Sequence, residues 1–381
     1  MKNFFFRGEI PTSKSLMNRA LLVRSYFPTL QIVGNSACDD VRLMKLAVAA
    51  FIQKKEIDCG EAGTVLRFMA LRAARENGTF KLVGSERLFS RPQEDLIFLL
   101  GQLGADCDLR IDSLIVRSSG WKKPLVPIRV HRDKSSQFAS SLLLNSWELP
   151  FDLDFEMKPG VSEGYWKMTV DMIRDLGLRL DRENDAWHVE KKQKISNFQL
   201  ELEPDYSSTF AVAAAAALAG RCEITNATEK SLQPDFKFIQ ILQKMGARVS
   251  WDQRTLIIEK PEEDLKAIDV DLSSTPDLFP VLAVLCAFAK GESILSGAPH
   301  LIYKESNRLQ KTTELLQQAG FVAASKEDGL HIIGHGSQVK AKKVHVDPDL
   351  DHRMAMAAGL VDLKGYTVDV LNSQVVTKSF P

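Results

Sequence analysis

The sequence carries no excess of either charge: 49 Lys and Arg balance 49 Asp and Glu over 381 residues. No global field recruits nucleic acid, so any anion site has to be assembled from local cations. Cysteine is scarce. Cys38, Cys59, Cys107, Cys222 and Cys286 are odd in number, scattered and free of any C-x-x-C pair. That usage points to a reduced, cytoplasmic protein without a structural metal. Long apolar runs are missing as well. The opening Met-Lys-Asn-Phe-Phe-Phe-Arg is too short for a secretory signal, and the Ala-rich run from Phe210 to Ala219 is too short to span a bilayer. Fibres and disordered tails are excluded by a composition that is 45% apolar and 26% charged. The length suits two hydrophobic cores rather than one. No large exposed apolar repeat stands out, so a monomer is the default expectation.

What the sequence does have is a repeat. Two apolar residues, two others, one apolar residue and a Gly recur in Leu99-Leu100-Gly101-Gln102-Leu103-Gly104, Met172-Ile173-Arg174-Asp175-Leu176-Gly177, Ile241-Leu242-Gln243-Lys244-Met245-Gly246 and Leu315-Leu316-Gln317-Gln318-Ala319-Gly320. Each reads as the last turn of an amphipathic helix closed by a glycine, with a strand such as Arg248–Trp251 after it. A second recurrence interleaves with the first: a polar cluster suited to a helix start, then a very apolar helix. The starts are Ser13-Lys14-Ser15, Ala62-Gly63-Thr64, Ser135-Ser136-Gln137, Ser207-Ser208-Thr209, Thr275-Pro276-Asp277 and Asp351-His352-Arg353, which mark six units of similar size. A helix as apolar as the one begun at Phe210 belongs at the centre of a unit, with sheets and amphipathic helices outside it. Six such N-termini facing one cleft attract anions through their free N–H groups and dipoles. Taken singly, the same clusters are explained by capping preference alone.

The cations at these starts exceed what capping requires. Lys14 stands in a first turn, where positive charge opposes the helix dipole, with Arg19 five residues on, and Arg353 heads another apolar helix. A cation in an unfavourable place suggests a bound anion. Arg91 before Pro92, Lys304 and Arg308 in Lys304-Glu305-Ser306-Asn307-Arg308, and Lys378 near the C-terminus stand at segment starts or in loops.

Together the motifs Ser13-Lys14-Ser15 with Arg19, Gly63-Thr64 with Arg67, Arg91-Pro92, Ser135-Ser136-Gln137, Asp277, Lys304-Glu305 with Arg308, Asp351-His352-Arg353-Met354-Ala355-Met356 and Lys378-Ser379-Phe380-Pro381 resemble the 5-enolpyruvylshikimate-3-phosphate synthase family across nearly the whole chain. The resemblance implies an α/β fold of two similar domains, each of three βαβαββ units around buried helices, the inside-out α/β barrel of the enolpyruvyl transferases. Residues 1–12 and 204–381 form one discontinuous domain, residues 13–203 the other, and the active site lies in the cleft between them. It further implies transfer of the enolpyruvyl group of phosphoenolpyruvate to the 5-hydroxyl of shikimate 3-phosphate, a step of aromatic amino-acid biosynthesis, without metal or organic cofactor. Lys14, Gly63, Arg91, Gln137, Arg308, Arg353 and Lys378 match the phosphoenolpyruvate contacts. Ser15, Arg19, Ser135, Ser136, Gln137, Ser162, Tyr165, Asp277 and Lys304 match those of shikimate 3-phosphate. Asp277, Glu305 and Lys14 match the catalytic groups, Asp277 as base and Glu305 or Lys14 as proton donor. Guanidinium forks suit carboxylates and phosphates, and hydroxyls at helix starts suit phosphate oxygens, so residue chemistry agrees with the division.

Several positions depart from the family's commonest form: Thr12 before Ser13, Glu61 and His300 where Asn is frequent, and Ile302 and Asn307 around Lys304-Glu305. Gly63 matches the glycine whose small size admits glyphosate to the phosphoenolpyruvate site, so inhibition by glyphosate is expected. The rival within the fold is the enolpyruvyl transferase of UDP-N-acetylglucosamine. That family usually carries a loop Cys, and Glu86–Pro92 has none. A non-catalytic anion-binding relative is disfavoured because Asp277 and Glu305 are both present.

Overall fold

The computed structural model describes residues 3–336 and 342–378. By its contacts the chain divides into two compact units, Met1–Ser13 with Glu203–Pro381, and Lys14–Leu202. Ser13 and Glu203 both fall in the first unit, which extends one residue beyond the expected boundary at each crossing, and the Ser13 N–H donates to the Glu203 carbonyl at 3.0 Å. The two crossing segments are tied side by side there. Asp205 N–H donates to Pro11 O at 2.9 Å, while the Asn226 amide takes Ile10 N–H at 3.1 Å and gives to Ile10 O at 2.9 Å.

Each unit is built around three helices that pack on one another: Lys14–Arg24, Gly63–Ala74 and Gln137–Leu144 in one, Tyr206–Ala219, Phe279–Phe288 and His352–Leu363 in the other. All six begin at the polar clusters. They stay central because they are buried nearly all round: Phe279–Phe288 is buried at every position, and Tyr206–Ala219 at all but two. The amphipathic helices Glu94–Gln102, Glu163–Asp175, Phe238–Lys244 and Arg308–Gln318 lie outside. They end at Gly104, Gly177, Gly246 and Gly320, all with φ between +83° and +102°. The residue after each glycine donates back to Leu100, Ile173, Leu242 or Leu316 at 2.9–3.0 Å, the hydrogen bond of a Schellman closure.

Three sheets surround each helix trio. Two per unit have four strands, a parallel pair continued by an antiparallel hairpin, as in Ile57–Asp58, Asn77–Val83, Ser113–Ser119, Asp106–Leu109. Their pattern alternates as a half-buried sheet requires, with Phe80 and Leu82 inward and Lys81 outward. The third sheet of each unit is reduced to two parallel strands, Gln31–Val33 with Gln199–Glu201, and Lys343–Val346 with Thr367–Val370. After helix Asp39–Ile52 the chain turns directly into Ile57, leaving no residues for a hairpin. No helix among the described residues is long and apolar enough to cross a membrane.

Strand Phe4–Gly8 runs parallel to Gly220–Ile224 with Phe4 opposite Gly220, and a Cβ at Gly220 would stand 1.9 Å from Phe4 O. Gly220→Ala therefore has to push the first strand off its neighbour. A loss of about 1–3 kcal/mol or more in urea unfolding is expected, and an unchanged midpoint would show that the strand is not held there.

Candidate active site

In the unit Lys14–Leu202 the sequence-marked residues gather at the helix starts. Lys14 Nζ lies 3.0 Å from Asp40 Oδ2, both side chains nearly buried, so the cation at the helix start has an anion beside it supplied by the protein. Arg67 projects from the next helix into a set of acceptors. It donates through Nη1 to Gln137 Oε1 at 2.8 Å and to Ser135 Oγ at 3.4 Å, through Nε to Gln93 Oε1 at 3.4 Å and through Nη2 to Pro92 O at 3.3 Å. Phe138 covers the guanidinium at 4.8 Å. The Gln137 amide donates to Thr64 Oγ1 at 3.1 Å, which fixes its flip. Gly63 sits against Arg91: a Cβ there would stand 2.9 Å from Arg91 Nη1. Gly63, Arg91, Ser135 and Gln137 are thus one neighbourhood, with Arg67 at its centre.

A second cluster in this unit is built on Arg19. Its guanidinium is 3% exposed and donates to Thr169 Oγ1 and Ser15 O at 2.8 Å each and to Tyr165 O at 3.5 Å. Burial lowers its pKa to about 10. Ser136 is the cap of Gln137–Leu144, and Ser162 precedes Glu163–Asp175 with φ +56°, left-handed for a residue with a Cβ and buried. Strain of that kind concentrates at functional positions.

The other unit holds a carboxylate–guanidinium network. Asp277, in the turn Pro276–Leu278 before Phe279–Phe288, accepts Arg308 Nη1 on Oδ1 and Arg353 Nη2 on Oδ2, each at 2.8 Å, with Lys304 Nζ 3.8 Å away. Arg308 also gives Nη2 to Glu305 Oε2 at 2.8 Å and Nε to Asp351 Oδ2 at 2.7 Å. Asp351 is fully buried and caps His352–Leu363 by accepting Arg353 N–H at 3.0 Å. Burial alone would raise the Asp277 carboxyl, but Arg353, Lys304 and Arg308 outweigh it and hold it well below the usual carboxylate range. Burial opposes the Arg308 charge, yet Asp351, Glu305 and Asp277 hold its pKa well above the ordinary value.

Residues 29–381 match the family described as EPSP synthase (3-phosphoshikimate 1-carboxyvinyltransferase). The chain is 30% identical to a 3-phosphoshikimate 1-carboxyvinyltransferase of Archaeoglobus fulgidus, over 98% of this chain and 95% of that one. The chain belongs to the EPSP synthase family. A relative of the same name from Syntrophobacter fumaroxidans is 35% identical over 84% of this chain and 77% of its own. Among solved structures, an EPSP synthase from Acinetobacter baumannii superposes with a TM-score of 0.75 at 21% identity, covering all of this chain and 94% of that one. The enolpyruvyl transferase NikO of Streptomyces tendae does so at 0.70 and 14%, covering 99% and 92%. At those identities the likeness is one of fold.

Arg67, Asp40 and Thr169 join these clusters although the sequence assigns Arg67 no role and does not mark Asp40 or Thr169. Arg67 carried a signal, a lone charge inside Val65-Leu66-Arg67-Phe68-Met69. Asp40 carried none, since acidic residues are common in a first helical turn. Lys378 ends the last turn, Ser373–Lys378, and its side chain lies outside the described residues. His300, which stands where Asn is frequent, is 1% exposed in the turn Pro299–Tyr303. Burial first, then Lys304, pushes its pKa down to about 3.

A histidine held neutral in the fold costs nothing above its unfolded pKa of about 6.5 and destabilises progressively as pH falls from there towards about 3. At pH 5 the cost is about 2 kcal/mol. Relative to wild type, His300→Asn is therefore expected to gain about that much unfolding free energy between pH 7.5 and pH 5. A difference that stays constant over this range would mean that His300 is not held neutral.

Proposed function

We propose that the protein transfers the enolpyruvyl group of phosphoenolpyruvate to the 5-hydroxyl of shikimate 3-phosphate and releases phosphate, in the shikimate pathway of aromatic amino-acid biosynthesis. The observation that carries this reading is Asp277, a carboxylate clasped by Arg308 and Arg353, with Glu305 on the same Arg308 guanidinium. A site with two carboxylates and several cations has what the reaction needs: a base, an acid, and charge to hold a carboxylate and phosphates.

Asp277 takes the proton of the 5-hydroxyl as its oxygen attacks C2 of phosphoenolpyruvate. Glu305 delivers a proton to C3, with Lys14 as the alternative donor, and a tetrahedral adduct results. The group that gave the proton takes one back from C3 as phosphate departs, which restores both the enol ether and the donor, while the cations stabilise the charge that leaves. Lys14, Arg91, Gln137, Arg308, Arg353 and Lys378 are assigned to phosphoenolpyruvate, with Gly63 leaving it room. Ser15, Arg19, Ser135, Ser136, Ser162, Tyr165, Asp277 and Lys304 are assigned to shikimate 3-phosphate, with Gln137 assigned to both substrates. The forks of Arg308 and Arg353 suit the carboxylate of phosphoenolpyruvate, and the ammonium of Lys304 suits a phosphate as a point charge.

Phosphate release is expected from phosphoenolpyruvate with shikimate 3-phosphate and not with UDP-N-acetylglucosamine; the opposite preference would overturn the substrate assignment. In the same assay Glu305→Gln should bind both substrates and lose on the order of 10²–10⁴-fold in kcat, the range of general acid–base catalysis. Undiminished turnover would remove Glu305 from the proton transfers. Glyphosate should inhibit in competition with phosphoenolpyruvate, because Gly63 presents no Cβ towards Arg91. Steady-state rates unchanged at millimolar glyphosate would contradict that reading of Gly63.

A further inference from the structure

Arg353 sends one nitrogen to two acceptors. Its Nη2 lies 2.8 Å from Asp277 Oδ2 and 2.8 Å from Ser207 Oγ, and the residue is 2% exposed. The two acceptors differ in kind. Asp277 is an anion, and an anionic substrate arriving at Arg353 competes with it for the same guanidinium. Ser207 is neutral and repels nothing.

The Ser207 hydroxyl is itself oriented. Its proton is donated to Asp205 Oδ1 at 2.6 Å, which leaves its lone pairs to Arg353. Asp205 is fixed in turn. Its Oδ1 caps the helix Tyr206–Ala219 by accepting Ser208 N–H at 2.8 Å, its own N–H donates to Pro11 O at 2.9 Å, and its carbonyl accepts both Thr209 N–H and Thr209 Oγ1 at 2.8 Å. A chain of three short hydrogen bonds thus runs from backbone to guanidinium through Pro11, Asp205, Ser207 and Arg353. Side chains whose own rotamers are locked in this way hold a binding group in place when its other partner changes.

We infer that Ser207 is a positioning residue for anion binding: it keeps Arg353 Nη2 in place while Asp277 gives way to the carboxylate or phosphate of phosphoenolpyruvate. The inference rests on the reading of Arg353 as a phosphoenolpyruvate ligand. Without Ser207, Nη2 would lose its neutral acceptor and be drawn to Asp277, so an incoming anion would have to reorient it as well as displace that carboxylate.

The test pairs calorimetric titration of phosphoenolpyruvate with steady-state kinetics. Ser207→Ala should weaken phosphoenolpyruvate binding and raise its KM by about tenfold, the scale of one hydrogen bond to a charged group. The kcat and the KM for shikimate 3-phosphate should stay within about twofold, a tenfold change being expected only where a bond to the charged group is lost. Ser207→Thr, which keeps the hydroxyl, should restore most of the affinity. In an Arg353→Lys background Ser207→Ala should add less than about twofold, because residues acting through one another are not additive. Unchanged phosphoenolpyruvate affinity in Ser207→Ala overturns the inference, as does a full tenfold loss on top of Arg353→Lys. A fall in kcat accompanied by a lower unfolding temperature, with KM untouched, also overturns it and makes Ser207 structural. If wild type binds phosphoenolpyruvate, and Ser207→Ala binds it more weakly, while no phosphate is released with shikimate 3-phosphate, the reaction proposed above fails and the assignment of Ser207 stands.

Discussion

A buried cation at the start of a helix is opposed by the dipole and by desolvation, and it persists only with an anion beside it. The structure meets that constraint repeatedly. Lys14 has Asp40, Arg308 has Asp351 and Glu305, and Arg353 shares Asp277 with Arg308. Some of these partners are permanent. Asp351 is fully buried, caps a helix and holds two nitrogens of Arg308, so it cannot leave without exposing a charge in the interior, at a cost of about 3–5 kcal/mol. Others are replaceable. Asp277 and Glu305 keep about a fifth of their side-chain surface exposed, so an anion of the right shape can take over what they hold.

The repeat supplies these positions. Each central helix is too apolar to sit anywhere but inside, so the chemistry gathers at its polar start and first two turns, as with Lys14, Arg19 and Arg67. One architectural choice, repeated, places Lys14, Gly63, Gln137, Ser207, Asp277 and Arg353 at equivalent points of six helices. The reduced third sheet of each unit does not disturb this. The hairpin it lacks belongs to the outer layer, while the helices Lys14–Arg24 and His352–Leu363 still pack on their two neighbours.

Much of this was legible in the sequence, and for identifiable reasons. A helix buried on all sides and a glycine closing an amphipathic helix are local properties, so the six starts and the four Gly closures could be read from residue types alone. The site was legible where a charge contradicted its surroundings, as with Lys14 and Arg353. It was not legible where the decisive fact is a long-range pairing. Asp40 neutralises Lys14 from 26 positions away, and Thr169 receives Arg19 across 150. Neither residue has an unusual neighbourhood in the chain. The short sheet of the unit Lys14–Leu202 leaves a trace in the spacing, because Lys14 and Gly63 stand 49 positions apart where the later starts are 69–76 apart, but only strand pairing identifies what is missing as a hairpin.

The same network that keeps Asp277 ionised also makes it a poor base in the free protein, since a carboxylate held well below its ordinary pKa has little affinity for a proton. On the proposed roles the two facts are reconciled by the substrate. An anion that engages Arg308 and Arg353 withdraws from Asp277 the positive charge that depressed it, and the buried carboxylate that remains is driven upward by desolvation. Proton affinity at Asp277 and anion affinity at the guanidiniums are then linked, each raising the other by the same factor. On those roles, proton removal from the 5-hydroxyl by Asp277 is coupled to the presence of phosphoenolpyruvate, the electrophile that the oxygen attacks.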